Sequence, residues 1–311
     1  MDDSQEKQTP EFSDQTNFLD MARWGNSQPW VYSVAITASM IFSVVAGLVI
    51  FIVYMIVVTG GMPSSEEEMD SVNTMILYLG CNLSILPILM TVLVSVKFIH
   101  KRPIMSLISP TGKIKWSRIF IGFAIYFVLS LLTIPLDFLL YPQDIRVTFD
   151  AAKFFACLPV VCLITPIQTT AEELFFRAWI LQALSLATRN IWVLAIINGI
   201  IFSAPHMLNR EVESNPLLLG LFYFGVGVML SYITLKSNGL EYAIGVHASN
   251  NLFSLIYTSE KASLPVESIL ITKNLHPLSD LISFTIVAII MCLIVNKLSK
   301  KEASSASAMK I

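Results

Sequence analysis

Apolar runs of membrane-crossing length recur along this chain, and no other feature constrains its fold as much. Residues 30–58, 73–98, 119–141, 154–188, 191–207, 216–235, 240–257 and 278–295 are predominantly apolar, and polar loops separate them. In hydrocarbon a backbone must satisfy its own N–H and C=O groups, so such runs fold as helices. The expected fold class is all-α: a polytopic transmembrane helical bundle of about eight spans. Composition agrees, with 55% of the 311 residues hydrophobic and 14% charged, where a soluble domain carries about 25% charge. The net charge of −2 and the lack of a basic domain exclude nucleic-acid binding. Cys81, Cys157, Cys162 and Cys292 fall in apolar segments without metal or disulfide spacing and read as small buried hydrophobes.

Eight crossings place both termini on one side. Lys101, Arg102, Lys113, Lys115 and Arg118 follow the second span, and Lys297, Lys300, Lys301 and Lys310 follow the last, so this side is expected to be cytoplasmic. Residues 1–29 are expected to form a disordered acidic tail, too poor in apolar side chains to repay ordering. They also lack the apolar core of a cleavable signal peptide, which leaves the first span as the insertion signal. The expected units are then 1–29, the acidic cytoplasmic tail; 30–118, two spans and a basic loop; 119–257, the next five spans; 258–298, a loop and the last span; and 299–311, a basic cytoplasmic tail.

The run 154–188 would reach roughly 50 Å as one helix, well beyond a hydrocarbon core of roughly 30 Å. It must project, tilt or break, and Thr165-Pro166 is the expected break because proline removes a backbone donor and restricts the residue before it. Just beyond lie Glu172, Glu173 and Arg177. Each such charge at bilayer depth costs roughly 2.5–3.5 kcal/mol unless it faces protein and finds a partner. Glu173 and Arg177 are four apart and stack on one helix face, acid before base. Glu172 points about 100° away and is left to meet another helix.

Two further helices offer polar faces. Asn198, Phe202 and His206 form one stripe on the fifth span, beside a small-residue stripe of Ala195, Gly199 and Ser203 that permits close helix approach. His247 and Asn251 share a face on the seventh. A carboxylate and an imidazole converging on one water make a general-base pair. A second His with an Asn amide can donate to the oxyanion of a tetrahedral intermediate. Residue chemistry alone leaves other readings open: a buried structural ion network, two Glu and two His around Zn²⁺, a serine or cysteine nucleophile at Ser203, Ser249 or Cys162, a proton-coupled transporter, or a non-catalytic immunity or scaffold protein that binds a peptide.

Glu172-Glu173-x-x-x-Arg177, Phe202-x-x-x-His206 and His247-x-x-x-Asn251, in this order on successive spans, resemble the three signature motifs of the CAAX prenyl protease 2 family, also called CPBP or Abi. The resemblance covers about residues 119–257. It implies a glutamate-dependent intramembrane endopeptidase in which Glu172 and His206 activate water, His247 and Asn251 form the oxyanion site, and Glu173 and Arg177 support them. No cofactor is expected, with Zn²⁺ as the alternative. The implied partners are the lipid bilayer of the cell membrane and a peptide or lipidated protein substrate: a prenylated protein tail, or, as in bacterial members, peptides of maturation, bacteriocin immunity or signalling.

Overall fold

The computed structural model describes residues 11–260, 262 and 266–308. In chain order its helices are α1 (Pro29–Thr59), α2 (Glu66–Ser71), α3 (Thr74–Val94), α4 (Trp116–Leu131), α5 (Ile134–Leu140), α6 (Ala151–Glu173), α7 (Leu181–Leu184), α8 (Ile191–His206), α9 (Pro216–Ser237), α10 (Glu241–Leu252) and α11 (Pro277–Ala308). Among the described residues, six helical passages are long and apolar enough to cross a membrane: α1, α3 with its π-helical end, α4–α5, α6–α7, α9 and α11. Val44, Val57, Leu139 and Leu163 stand exposed on their outer faces, where lipid takes the place of a protein core. The molecule is a helical membrane bundle.

The other two expected spans are short. α8 has 16 residues and α10 has 12, or ~24 Å and ~18 Å at 1.5 Å per residue. α10 packs against α4, α6 and α9, and every residue from Glu241 to Ser249 is buried. A helix enclosed by protein needs no membrane length, and this one hides its polar side chains from lipid. The run expected as a span over 240–257 therefore stops being α-helical at Leu252 and passes through a 3-10 turn, Phe253–Leu255, into a strand.

Close approach is built on small residues. A methyl group on Gly245 of α10 would lie 2.0 Å from the Ile119 carbonyl oxygen of α4, and one on Gly227 of α9 would lie 2.7 Å from the Gly199 Cα of α8. The small-residue stripe on α8 thus packs at Ala195 and Gly199. It runs out at Ser203, which is half-exposed.

Four expectations need correction. The break at Thr165-Pro166 does not occur: α6 runs through Pro159 and Pro166 and continues, by a π-helical stretch over Leu174–Ile180, into α7 as one 34-residue rod. Thr169 Oγ1 donates to the Thr165 carbonyl at 3.0 Å, and the Thr165 hydroxyl pairs with Tyr78 Oη at 2.7 Å. Polar side chains of this kind make an interior proline tolerable in a membrane helix.

The N-terminal tail is the second correction. Residues 1–10 lie outside the described residues, but Phe18–Arg23 form a 3-10 helix whose Phe18, Leu19, Met21 and Ala22 are buried in the main core. Arg102 Nη1 donates to the Met21 carbonyl at 2.6 Å, and Gln182 Nε2 to the Phe18 carbonyl at 3.1 Å. A polar average over 29 residues concealed this local apolar cluster.

Third, the basic tail is not a tail over its described part, because α11 continues to Ala308. There Glu302 pairs with Arg118 and accepts a hydrogen bond from Tyr242 Oη at 3.0 Å. Lys310 lies outside the described residues. Arg102 and Arg118, expected as loop charges, are both buried. Fourth, of the cysteines only Cys157 is buried, while Cys162 is exposed on the outer face.

A small sheet joins the loops at one end of the bundle. β1 (Ile145–Val147) pairs antiparallel with β3 (Leu270–Thr272), which pairs parallel with β2 (Tyr257–Ser259), giving the order β1-β3-β2.

Candidate active site

A cavity of about 750 Å³ lies inside the bundle, within the size range of small-molecule and peptide sites. Its polar lining includes Gln168 and Glu172 from α6, His206 from α8, Tyr223 from α9, and His247 and Asn251 from α10. Its apolar wall comes from α1 and α3; Met40, Val44 and Leu48 of α1 line it and are also exposed on the lipid-facing surface. Four sequence-predicted site residues, Glu172, His206, His247 and Asn251, thus share one cavity. The two supporting residues, Glu173 and Arg177, lie fully buried behind it.

Glu173 Oε1 is 2.9 Å from Arg177 Nη1, as the four-residue spacing suggested. The contact is an ion pair without hydrogen-bond alignment, since none of the three guanidinium nitrogens makes a hydrogen bond. Its charge is met instead by the Phe202 ring, with Cζ 3.8 Å from the centroid. The same Glu173 oxygen accepts from His247 Nδ1 at 2.7 Å. Helical spacing does not reveal this link between α6 and α10, because it pairs Glu173 with Arg177 within its own helix. It fixes the His247 ring with Nδ1 protonated.

Glu172 sits on the other side of His247, its Oε2 3.8 Å from Nε2. Its Oε1 accepts from Gln168 Nε2 at 2.6 Å. Among the described residues Oε2 accepts no hydrogen bond. Gln168 was missed, although it stands one turn before Glu172 on an apolar helix, and that spacing was a usable signal. Asn251 Nδ2 donates to Gln168 Oε1 at 3.2 Å.

His206, at the end of α8, donates from Nδ1 to the Phe202 carbonyl at 2.8 Å. That leaves Nε2 with its lone pair. The ring lies against Phe202 and Tyr223, with centroids 4.3 and 4.6 Å away. Tyr223 donates to Glu211 and accepts from Asn209 Nδ2 at 2.9 Å. No local pattern in the sequence pointed to these supports.

The π-helical stretch after Glu173 is stabilised from α8, where Asn198 Nδ2 donates to the Phe176 carbonyl at 2.7 Å and Asn198 Oδ1 accepts from Ser231 Oγ at 2.9 Å. Such bulges widen a helix by one residue per turn and recur at functional sites. Ser203 and Ser249 bring no acid–base partner: the Ser203 hydroxyl donates to the Ile200 carbonyl, and Ser249 Oγ is buried without a hydrogen bond. Among the described residues no three His, Cys, Asp or Glu side chains converge as a metal-ligand set.

Over 171 residues the chain is 37% identical to an uncharacterized protein, YyaK, of Bacillus subtilis strain 168. That match spans 55% of this chain and 57% of the relative. No solved structure matches significantly. Residues 151–253, which carry Glu172, His206, His247 and Asn251 together with their supports, match the family described as type II CAAX prenyl endopeptidase Rce1-like.

Proposed function

We propose that this protein is an intramembrane endopeptidase that hydrolyses a peptide bond with water activated between Glu172 and His206. One observation carries the reading: a carboxylate, two imidazoles and a carboxamide from three helices line a single cavity inside an apolar bundle. The Rce1-like match over 151–253 supports it.

In this scheme a water sits between Glu172 Oε2, which among the described residues accepts no hydrogen bond, and the Nε2 lone pair of His206. One of the two takes its proton as the oxygen attacks the scissile carbonyl. The Asn251 amide and His247 donate to the resulting oxyanion. With Nδ1–H held by Glu173, His247 donates from Nε2 only when doubly protonated, and the two carboxylates then balance its charge and that of Arg177. The proton taken from water passes to the leaving amine. In other enzymes one oxyanion donor contributes about 10²–10³-fold in rate.

The apolar wall formed by α1 and α3 suits a substrate that carries a hydrocarbon chain. Prenylated C-terminal tails and membrane-associated peptides are therefore the substrate classes we propose. The test is cleavage of a quenched, prenylated tetrapeptide-tail substrate by the purified protein, with the unlipidated peptide alongside. Loss in Glu172→Gln and His206→Ala, with folding retained and no effect of a strong chelator, is the expected result. Inhibition by chelator would favour Zn²⁺, and full activity of Glu172→Gln would overturn the mechanism. If no substrate is cut, the native host decides: an intact phenotype for Glu172→Gln would indicate a non-catalytic peptide-binding protein.

A further inference from the structure

The polar groups behind Asn251 form a chain with a single direction. Tyr126 Oη donates to Asn250 Oδ1 at 3.1 Å, and Asn250 Nδ2 donates to Asn251 Oδ1 at 3.1 Å. Asn251 Nδ2 then donates to Gln168 Oε1 at 3.2 Å, and Gln168 Nε2 donates to Glu172 Oε1 at 2.6 Å. Four side-chain hydrogen bonds on α4, α10 and α6 thus point one way and end on the carboxylate.

The direction follows from chemistry. An ionised carboxylate only accepts, so Gln168 must turn its NH₂ group toward Glu172 and its carbonyl toward Asn251. That carbonyl requires a donor, which turns the Asn251 NH₂ inward and its carbonyl toward Asn250. The Asn250 carbonyl in turn requires a donor, and Tyr126, buried at 3% exposure, supplies it. Aligned hydrogen bonds of this kind polarise one another. Asn251 has two amide hydrogens, and Gln168 takes one. The second remains for a ligand in the cavity. Reversing the Asn251 amide would aim its carbonyl oxygen at an oxyanion and repel it.

We infer that Gln168 is a positioning residue which, with Asn250 and Tyr126, holds the Asn251 carboxamide as a donor and fixes the Glu172 carboxylate. The inference rests on the endopeptidase reading for its consequence in catalysis, but the chain itself can be tested without a substrate.

The substrate-free test uses protein labelled with ¹⁵N-glutamine in lipid nanodiscs. The Gln168 side-chain amide is assigned by its disappearance in Gln168→Leu. Its proton bonded to the carboxylate is expected far downfield, to move upfield in Glu172→Gln, and to move measurably in Tyr126→Phe at the far end of the chain. A Gln168 signal indifferent to both substitutions would overturn the chain. With an active preparation, Gln168→Leu should lower kcat by about 10–100-fold with KM little changed, bounded by the roughly 10²–10³-fold value of one oxyanion donor. Tyr126→Phe should lower kcat by a few-fold in the same sense. A Gln168→Leu protein that folds, binds substrate and keeps the wild-type kcat would refute the positioning role. Failure to find any cleavage by the wild type would count against the endopeptidase reading alone, because the amide shifts judge the chain separately.

Discussion

Glu173 is where buried charge is most concentrated. Its Oε1 faces both Arg177 and His247, and all three side chains are at most 5% exposed. Removing one member of a buried ion pair leaves the other uncompensated, at a cost of about 3–5 kcal/mol. Arg177→Met should therefore destabilise the protein by about that much in reversible unfolding from mixed micelles. The double variant Glu173→Gln/Arg177→Met should lose less than the sum of the single variants, since the two sites share one interaction. At this scale the sequence was informative where partners are one helical turn apart. The Glu173–Arg177 pair was legible for that reason, and Gln168 would have been by the same rule. The Glu173–His247 bond was not, because its partners are separated by 74 positions.

Among the elements, α10 contributes His247 and Asn251 to the cavity and is buried along Glu241–Ser249. It approaches α4 so closely that a methyl group on Gly245 would collide with the backbone of Ile119 and Phe123. Gly245→Ala should cost about 1–3 kcal/mol or more, the usual range for overpacking, and should displace His247 two residues on. The expected result is a lower melting temperature together with reduced activity, and a wild-type melting temperature would contradict the close packing. The run 240–257 reads as a full span although α10 ends at Leu252, because hydropathy alone does not distinguish a helix buried in protein from one crossing lipid. Proline misled in the same way: Pro166 reads as a break, yet polar side chains of α6 and α3 support the helix through it.

For the whole molecule, His100 ties three distant parts together. Its Nδ1 donates to the Asn26 carbonyl at 3.0 Å, its Nε2 accepts from Trp179 Nε1 at 3.0 Å, and its ring stacks on Tyr32. The N-terminal segment, the end of α3 and the π-helical stretch beyond Glu173 meet there. Burial, aided by the nearby Arg102 charge and opposed by the Asn26 hydrogen bond, lowers the imidazole pKa below its ordinary 6.5. The unfolded chain then binds a proton that the folded one does not, so stability falls as pH drops below about 6.5 toward the depressed folded value. Thermal unfolding should show the advantage of wild type over His100→Gln shrinking between pH 7.5 and 5. A constant difference would mean that His100 does not titrate in this range.

Fold class, the Glu173–Arg177 pair and the singling out of Glu172, His206, His247 and Asn251, which share the cavity, were determined by sequence alone, because lipid forces apolar runs into helices and makes polar side chains within them conspicuous. Tertiary structure decided the rest. The docking of Phe18–Arg23, the enclosure of α10, the seat of His247 between two carboxylates and the chain from Tyr126 to Glu172 all depend on contacts between residues far apart in sequence. Helical periodicity relates residues within one helix, whereas these contacts depend on how helices are placed against one another, which no local pattern encodes.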